Sequence, residues 1–513
     1  MKWGVRPLFP NIADENAPGR FYLRTRLMKF RSLPPLLLFL PAVAGAQVQT
    51  GPRFVVSTLT DRDNGTALTG DCSLREAIGA AASSGQPAVI VFAEGVNGTV
   101  TLSPALGQLN LSSPVSILGP GARALTVSGG GTLRVFGVGG GPHLISGITI
   151  SGGRVTAGNQ GGGGLSVTGE LVIQDCAISG NQVQSPAYFV SRGGGVFIDG
   201  GTLTMVRSSV SGNTAMGMNV SGNLYGYNAM GAGVHVASGN FTARSSTFQG
   251  NTATGGSGTS RTGWACGGIY NKGATVLHNC TVSGNTATAT NAPGVGGIFS
   301  DGGSCTVFST VVAANTVTGY AKHRDVRGAF TSDGYNFIGA TNGFPSGEYE
   351  VRAFSQATDL TGTEQSPRDP KLGAFQGNGG PTNTMLPLVD SPLVDQGKTT
   401  AETLDDQRGR SRFVDDAAIA NAAGGDGADI GAAEYGAPID LPTVEFTPDG
   451  AIVRLRGERG MDHTFEYSDN LEDPWTPFGG VLFSDGGGNL TVKDPFIPGP
   501  QPPRRFYRAV PVP

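Results

Sequence analysis

Aromatic side chains and arginines cluster in three loops of a glycine-rich repeat that is otherwise poor in aromatic residues. The residues concerned are Tyr188, Tyr225, Tyr227, Trp264, Arg192 and Arg261. Aromatic faces beside cations are typical of surfaces that stack on sugar rings or contact another protein. The alternative is that these side chains pack against the outside of the structure that carries them. The sequence predicts a ligand site here, for an extracellular polysaccharide or a surface protein.

Acidic residues that could cleave a polysaccharide are sparse in the same region. The acids in question are Glu170, Asp175, Asp199 and Asp301. A glycosidase needs two carboxylates roughly 5 to 9.5 Å apart, whereas Asp199 and Asp301 occupy similar positions of a repeated segment but are three repeats apart. A lyase needs a base beside acids, and Arg207 and Arg244 have no matching acid cluster. We therefore predict no catalytic residues, and a polysaccharide lyase or glycoside hydrolase is the alternative function.

Metal and nucleic-acid sites are not predicted. The segment DRDNG, Asp61 to Gly65, has oxygen ligands at calcium-like spacing. The distant Glu of an EF-hand is missing, which favours a turn rich in Asp and Asn side-chain hydrogen bonds and leaves Ca²⁺ as the one cofactor to consider. Charged residues make up 14% of the chain and the formal net charge is −4. Without clustered Lys and Arg, no nucleic-acid partner is expected.

Five cysteines follow residue 47, namely Cys72, Cys176, Cys266, Cys280 and Cys305. Their number is odd and none forms a CxxC pair, so a zinc site is not indicated. Cys176 and Cys280 occupy the same position of the repeated segment, where small residues stand, and are interpreted as core residues. A disulfide between Cys266 and Cys280 remains an alternative.

The elements that must position these side chains form a repeat between Gly164 and Asn315. Each copy opens with glycines, continues with a short β-like run and closes on an Asn. The copies run from Gly164 to Asn181, Gly195 to Asn213, Gly233 to Asn251, Gly268 to Asn285, and Gly297 to Asn315. The length from glycine to Asn is nearly constant, while the length from each Asn to the next glycine varies. The pattern indicates a stack of similar units with loops of different length on one side.

Alignment of the copies on the closing Asn gives columns of apolar side chains that alternate along a strand. Three residues before the Asn stand Ile178, Val210, Phe248, Val282 and Val312, and the residues that follow the opening glycine are Leu165, Val196, Val234, Ile269 and Ile298. The closing residues predict a ladder in which each Asn tolerates positive φ and hydrogen-bonds its neighbour: Asn181, Asn213, Asn251, Asn285 and Asn315. This geometry predicts a right-handed parallel β-helix. A helical solenoid does not fit, because Gly, Ser, Thr and Val favour turns and strands.

The beginning of the chain indicates export. From Met28 the sequence has a basic end, an apolar run of about eleven residues and a small-residue cleavage site before Gln47. This is the pattern of a signal peptide, and the run is shorter than the roughly 20 residues of a membrane span. We predict a signal region at residues 1–46 with Met28 as the true start, a secreted or cell-surface location, and no transmembrane segment in the mature chain.

The segment DCSLREAI, Asp71 to Ile78, resembles the CSLREA motif near the amino end of many secreted bacterial β-helix proteins. It reads as a short amphipathic helix with Leu74, Ala77, Ile78 and Ala81 on one side and Ser73 or Asp71 as its N-cap. Such a helix would cover the open first coil. Arg75 and Glu76 are interpreted as surface or cap-pairing residues.

Later motifs extend this resemblance: GPGARALTVSGG, DVRGAFTSDGYNFIG, DPKLGAFQGNGGPTNTMLPLVDSPLVDQG, DQRGRSR and ADIGAAEYG. Together they resemble the choice-of-anchor Q domain and repeats like those of polymorphic outer-membrane proteins. The family resemblance implies a β-helix that precedes a surface-anchoring element. From the residues themselves, Asp406, Arg408, Asp429 and Glu434 are expected to fix loops by charge-assisted hydrogen bonds, with a functional site as the alternative.

Residues 441–513 lack the repeat and show alternating segments typical of a small β-sandwich. Its predicted core consists of Phe465, Tyr467, Trp475, Phe478, Phe506 and Tyr507. This module is a candidate sorting or anchoring element.

The predicted fold class is all-β, a right-handed parallel β-helix solenoid with an N-terminal capping helix and a small C-terminal β-sandwich. The predicted regions are an N-terminal cap at 47–95, coils at 96–340, closing coils and cap at 341–440, and the sandwich at 441–513. The predicted role is structural, adhesive or ligand-binding at the cell exterior. The sequence does not predict an oligomeric state.

Overall fold

The computed structural model describes residues 48–65, 67, 70–156, 158, 160–186, 188–341, 354–412, 414–416 and 418–435, together with six strands between residues 443 and 511. The predicted signal region at residues 1–46 lies outside the described residues.

Most of the strands belong to three long sheets. The first sheet contains β1 (Arg53–Val56), β2 (Ala88–Phe92), β4 (Leu109–Leu111), β5 (Val115–Leu118), β7 (Phe136–Val138), β8 (His143–Ser146), β11 (Leu165–Val167), β12 (Glu170–Gln174), β16 (Val196–Val206), β20 (Val234–Arg244), β24 (Ile269–Asn271), β25 (Ala274–His278), β28 (Ile298–Ser300), β29 (Ser304–Phe308), β32 (Val326–Gly328) and β33 (Thr331–Ser332).

The second and third sheets complete each coil. The second sheet contains β3 (Gly98–Thr101), β6 (Leu125–Ser128), β9 (Thr149–Ser151), β13 (Ala177–Ser179), β17 (Ser209–Ser211), β21 (Thr247–Gln249), β26 (Thr281–Ser283), β30 (Val311–Ala313), β34 (Phe337–Ile338) and β35 (Leu360–Thr361). The third contains β10 (Arg154–Val155), β14 (Gln182–Val183), β15 (Ser191–Arg192), β18 (Thr214–Met216), β19 (Ala229–Met230), β22 (Thr252–Thr254), β23 (Ala265–Cys266), β27 (Thr286–Val295) and β31 (Thr316–His323).

Every strand pair within these three sheets is parallel, and neighbours in a sheet come from successive passes of the chain. Within one pass the chain runs through β16, β17 and β18, which belong to the first, second and third sheet. The same order repeats one coil later in β20, β21 and β22. The stack is a right-handed parallel β-helix, as the columns predicted.

The carboxyl-terminal strands form two small antiparallel sheets. One consists of β36 (Thr443–Thr447), β37 (Gly450–Arg456) and β40 (Asn489–Asp494), and the other of β38 (Asp462–Ser468), β39 (Thr476–Phe483) and β41 (Phe506–Pro511). The predicted sandwich is thereby confirmed, with β39 as a strand that the sequence pattern had not indicated. Phe465 is fully buried and Tyr467 is half-buried. Trp475 and the side chains of Phe478, Phe506 and Tyr507 lie outside the described residues.

The predicted capping helix is α1 (Leu74–Ser83). Ser73 is its N-cap and forms a capping box with Glu76, whose carboxylate accepts a hydrogen bond from the Ser73 N–H at 2.8 Å. Leu74, Ala77 and the other two residues of the predicted stripe are buried. Arg75 binds the Asp61 carboxylate at 2.8 Å. The helix thus begins where predicted, and its polar residues fix the preceding loop.

The core is the interior of the coils. The column three residues before each Asn is fully buried, and its members pair in register from coil to coil. The residues after each opening glycine are equally buried. A buried aliphatic side chain of this size contributes about 1.5 to 3 kcal/mol. Stacking of these apolar columns therefore stabilises the β-helix.

The Asn ladder forms, with one difference from the prediction. The Asn213 Oδ1 accepts hydrogen bonds from both the backbone N–H and the side-chain Nδ2 of Asn181, each at 3.0 Å. Equivalent pairs of bonds join each later Asn to the next. None of the five Asn residues has positive φ. The residue before each Asn takes the left-handed conformation: Gly180, Gly212, Gly250, Gly284 and Ala314. The Asn side chain can therefore point inward, because the turn is made one residue earlier.

The ladder continues to Asp325, which the sequence repeat did not include. Its Oδ1 accepts from the Asn315 N–H at 3.1 Å and from Asn315 Nδ2 at 2.9 Å. Burial raises the pKa of Asp325 to about 7. A carboxyl group thus takes the position of the next Asn.

The described residues between 369 and 435, here called the closing segment, lie along the side of the β-helix. Thr382 Oγ1 donates to the Arg207 carbonyl at 3.3 Å, and the Lys398 N–H donates to Ser309 Oγ at 3.0 Å. Thr247 Oγ1 contacts Gln407 Oε1 at 2.6 Å. The segment follows the turns between the first and second sheets. The sequence assigned this region to closing coils and a cap; strand β35 adds a final rung to the second sheet.

Charged residues of the closing segment are buried against one another, as predicted. Arg408 Nε donates to Asp406 Oδ2 at 2.8 Å, and Arg412 Nη1 donates to Glu434 Oε1 at 2.5 Å. The Asp429 N–H donates to Glu434 Oε2 at 2.8 Å. Burial raises the pKa of Asp429 to about 7 and the pKa of Glu434 well above its usual value. The charge-assisted hydrogen bonds that were expected to fix these loops are confirmed.

Two arginines that lacked a predicted acid do have one. Arg207 Nε and Nη2 donate to the two carboxylate oxygens of Asp175 at 2.9 Å, with both side chains buried. Arg244 pairs with Glu402 of the closing segment at 2.6 Å. Each arginine thus pairs with a single acid rather than with an acid cluster, and neither pairing could be predicted, because the partners lie 32 and 158 residues away in sequence.

The five cysteines are free and buried, so Cys266 and Cys280 do not form a disulfide. Cys176 and Cys280 lie in the main core, as predicted. Within the described part of the chain, no helix is long and apolar enough to cross a membrane.

Candidate functional site

A groove of about 410 Å³ lies where the third sheet turns into the first. Its lining residues come from four successive coils: Val190, Arg192, Asp199, Asn228, Met230, His235, Ala237, Trp264, Tyr270, Lys272 and Asp301. Met230, His235 and Tyr270 are buried, whereas Asp199 and Lys272 are exposed. The groove therefore has an apolar, aromatic floor and a charged rim, and it follows the direction in which the coils stack.

The floor belongs to an outward-facing column that the sequence analysis missed. The second residue after the opening glycine is Ser166 in the first copy and then Phe197, His235, Tyr270 and Phe299, with Arg327 one coil further, all paired in register. The His235 and Tyr270 rings lie 4.7 Å apart, and the Tyr270 and Phe299 rings lie 5.3 Å apart. Four aromatic side chains at one position of the repeat were the signal that could have revealed this column.

Glycines make the sharp corner beside the groove. Gly193 and Gly231 have φ values of +61° and +64°. A Cβ at Gly231 would lie 2.2 Å from the Val234 carbonyl oxygen and 3.0 Å from the Tyr270 Cβ. Both conformation and space therefore require glycine at Gly231.

The two cations of the rim differ in their partners. Lys272 Nζ lies 3.5 Å from Asp301 Oδ2. Arg192, on β15 and in register with Met230, is partly exposed. Among the described residues, no carboxylate forms an ion pair with Arg192 and no group accepts a hydrogen bond from its guanidinium. Arg192 is thus the cation of the groove with its hydrogen-bonding capacity open to a ligand.

The two acids of the rim are hydrogen-bonded. Tyr270 Oη donates to Asp301 Oδ2 at 2.5 Å, and Ser238 Oγ donates to Asp199 Oδ1 at 3.1 Å. Burial and the Asp301 carboxylate raise the pKa of the Tyr270 hydroxyl, so Tyr270 stays protonated and acts as a donor. These contacts hold both carboxylates at the rim, where they can accept hydrogen bonds from sugar hydroxyls.

His235 is a neutral part of the floor. Its Nδ1 lies 3.0 Å from the Met230 carbonyl oxygen, which can only accept, so Nδ1 carries the proton. Burial lowers the pKa of His235 to about 3. The ring is therefore uncharged near neutral pH and cannot serve there as a general acid.

The two acids of the rim do not form a glycosidase pair. Asp199 and Asp301 are three strand spacings apart, roughly 14 Å at about 4.8 Å per strand, beyond the 5 to 9.5 Å of a glycosidase pair. In the chain as described, no group of three His, Cys, Asp or Glu residues could hold a metal ion. At the predicted calcium-like turn, Asp61 binds Arg75 and Asp63 accepts from the Gly65 N–H at 3.3 Å.

Comparison with known proteins adds a structural likeness. No protein-family model and no curated protein matches the sequence. The crystal structure of pectate lyase Pel9A is similar with a TM-score of 0.37 and 12% identity, over 75% of this chain and 97% of that chain. The fold assignment rests on the strand pairing rather than on this likeness.

The structure places the six predicted ligand residues on the same side of the β-helix. Arg192 and Trp264 line the groove. Tyr188 and Tyr227 contact each other edge to face, with ring centroids 5.8 Å apart. Tyr225 and Arg261 form a backbone bridge between neighbouring loops, and both are exposed. The predicted set thus divides into a groove pair and an outer loop group.

Trp264 both packs and lines the groove. Its ring lies 6.3 Å from the Phe299 ring, and the Arg327 guanidinium lies 4.8 Å from the Trp264 centroid. The adjacent loops are ordered by backbone bonds, such as that from the Val220 N–H to the Ser257 carbonyl at 2.8 Å. The loops between each Asn and the next opening glycine are therefore stacked extensions of the coils. These loops form one side of the groove.

Proposed function

We propose that the protein is a secreted or cell-surface β-helix protein that binds an extracellular polysaccharide in the groove between Arg192 and Asp301. The supporting observation is the combination of an aromatic floor with a rim of fixed donors and acceptors along four coils. Aromatic faces stack on sugar rings, while oriented polar groups select their hydroxyls. A volume of about 410 Å³ is within the range of small-molecule sites.

The proposed placement at the cell exterior rests on the sequence. The signal-peptide pattern from Met28 supports export, and the resemblance to CSLREA and choice-of-anchor Q proteins supports a surface-anchored β-helix. The two carboxyl-terminal sheets are proposed as the anchoring or sorting element. The role that follows is structural or adhesive, with the groove as the point of contact with a polysaccharide.

A glycan array probed with the purified protein, with and without Ca²⁺, tests this proposal. Ala237→Met would place a longer side chain into the groove, whereas Asn240→Met changes an exposed residue of the same strand outside it. Binding should fall at least tenfold, about 1.4 kcal/mol, for Ala237→Met and stay unchanged for Asn240→Met. Equal binding by both variants would place the ligand site elsewhere.

The same preparation decides the enzyme alternative. Binding without cleavage predicts that no reducing ends and no unsaturated products are released from any glycan that binds. Turnover that is abolished by Asp301→Asn or Asp199→Asn would instead assign the groove to a lyase or hydrolase.

A further inference from the structure

The chemical class of the ligand follows from the charged side chains of the groove that have no partner. Lys272 faces Asp301 at 3.5 Å, and Asp199 accepts a hydrogen bond from Ser238. Arg192 has no such partner among the described residues, as shown above. A planar guanidinium presents five N–H donors in a fork that fits a carboxylate or a sulfate at two points.

Arg192 is held in position by its backbone. It lies on β15, where Arg192 is in register with Met230, and its carbonyl accepts from the Gly162 N–H at 3.0 Å. Arg192 lines the groove together with His235 and Tyr270, on which a sugar ring would stack. A substituent on that sugar would meet the arginine.

Resting on the proposed polysaccharide function, we propose that the groove selects a glycan that carries an anionic substituent, and that Arg192 binds this substituent in a two-point contact. The aromatic floor contacts the sugar ring, and Lys272 with Asp301 contacts hydroxyls. An acidic group is preferred because it gives the Arg192 guanidinium the ion-pair partner that none of the described carboxylates supplies.

The test uses three defined probes and the full-length protein: an oligosaccharide of uronic acid, its methyl ester, and a sulfated galactan oligosaccharide of equal length. Isothermal titration should show at least tenfold tighter binding of the acid than of the ester. Arg192→Gln should remove this preference by lowering the affinity for the acid to that for the ester. Arg192→Lys should recover only part of it, because it keeps the charge but loses the fork.

Arg154→Gln is the matched control, since Arg154 is an exposed arginine of the third sheet that does not line the groove. It makes the same change in net charge and should bind all three probes as the parent does. Thermal melting of both variants within a few degrees of the parent ensures that binding is compared between folded proteins.

The outcomes separate the two proposals. Equal binding of acid and ester, or an equal loss of both in Arg192→Gln, would overturn the inference while the polysaccharide function stands. Failure of all three probes and of the glycan array would overturn the polysaccharide function itself. Binding of the sulfated probe with the same dependence on Arg192 identifies any anionic substituent as sufficient, whereas its failure restricts the ligand to carboxylates.

Discussion

Two corners of the same coils differ in whether another segment of the chain covers them. At the turn between the first and second sheets, the closing segment covers the coils and bonds to Arg207, Ser309 and their equivalents. At the turn between the third and first sheets, the described part of the chain leaves a groove. The closing segment occupies one corner, and the groove at the other corner is the proposed polysaccharide site.

The chemistry of the two corners explains the difference. The covered corner has buried acids and arginines that bind each other, such as Arg412 with Glu434. The open corner has half-exposed ions on an aromatic floor, such as Lys272 with Asp301. Buried pairs tolerate no loss of a partner, whereas exposed pairs contribute little to stability. The covered corner is therefore structural, and the open corner can change without loss of the fold.

The largest expected effect is at the covered corner. Arg412→Met leaves the buried Glu434 carboxyl without its cation and should lower the free energy of unfolding by about 3 to 5 kcal/mol. Chemical denaturation measures this. Lys371→Met is the control, because it removes an exposed ion pair with Asp390 in the same segment and should cost about 0 to 1 kcal/mol. Similar effects of both substitutions would contradict a structural role for the buried pair.

The pH dependence of the covered corner is the next effect. The folded pKa of Asp429 is raised to about 7, so its protonated form favours the folded state and this stability is lost as pH rises from about 4 through 7. The stability of the parent relative to Asp429→Asn should therefore fall by about 2 to 4 kcal/mol over that interval. Urea denaturation at several pH values measures the difference. A constant difference would mean that Asp429 is ionised throughout.

The open corner should respond to pH with the opposite sign. The folded pKa of His235 is lowered to about 3, so the stability that it contributes is present above the unfolded value near 6.5 and is lost as pH falls. At pH 5 the parent should have lost about 2 kcal/mol relative to His235→Phe, compared with their difference at pH 8. Phe is the conservative choice because the column already contains Phe197 and Phe299. A parent that gains stability on acidification relative to this variant would refute the neutral, buried imidazole.

The smallest expected effect on stability is at the groove rim. Lys272→Met removes an ion pair whose side chains are 52% and 41% exposed, so the free energy of unfolding should change by less than about 1 kcal/mol. The same cation-to-Met change at Arg412 is expected to cost several times more, and this contrast is the direct test of the comparison. Polysaccharide binding should weaken in Lys272→Met while the melting temperature stays nearly constant. A large loss of stability would show that the rim is structural.

Much of the fold could be predicted because each coil contacts its neighbours in a repeating way. The apolar columns at Val282 and Ile298, the Asn ladder and the capping helix after Ser73 all follow from patterns within one coil. The prediction was wrong in one detail of the ladder turn, because Gly284 rather than Asn285 takes positive φ. The aromatic column of the groove was also present as a pattern and was overlooked.

The parallel stack follows from the repeat alone, since a side chain that recurs at one position of every coil must meet its equivalents one strand spacing away. Which ions pair and which corner stays open depends on how distant segments pack in the folded chain. Arg244 meets Glu402, and Thr247 meets Gln407 across 160 residues of chain, through contacts that no repeat position specifies. The groove likewise joins Arg192, Trp264 and Asp301 from different coils. Periodicity encodes contacts between neighbouring coils, whereas contacts between distant, non-repeating segments depend on how the folded surfaces fit.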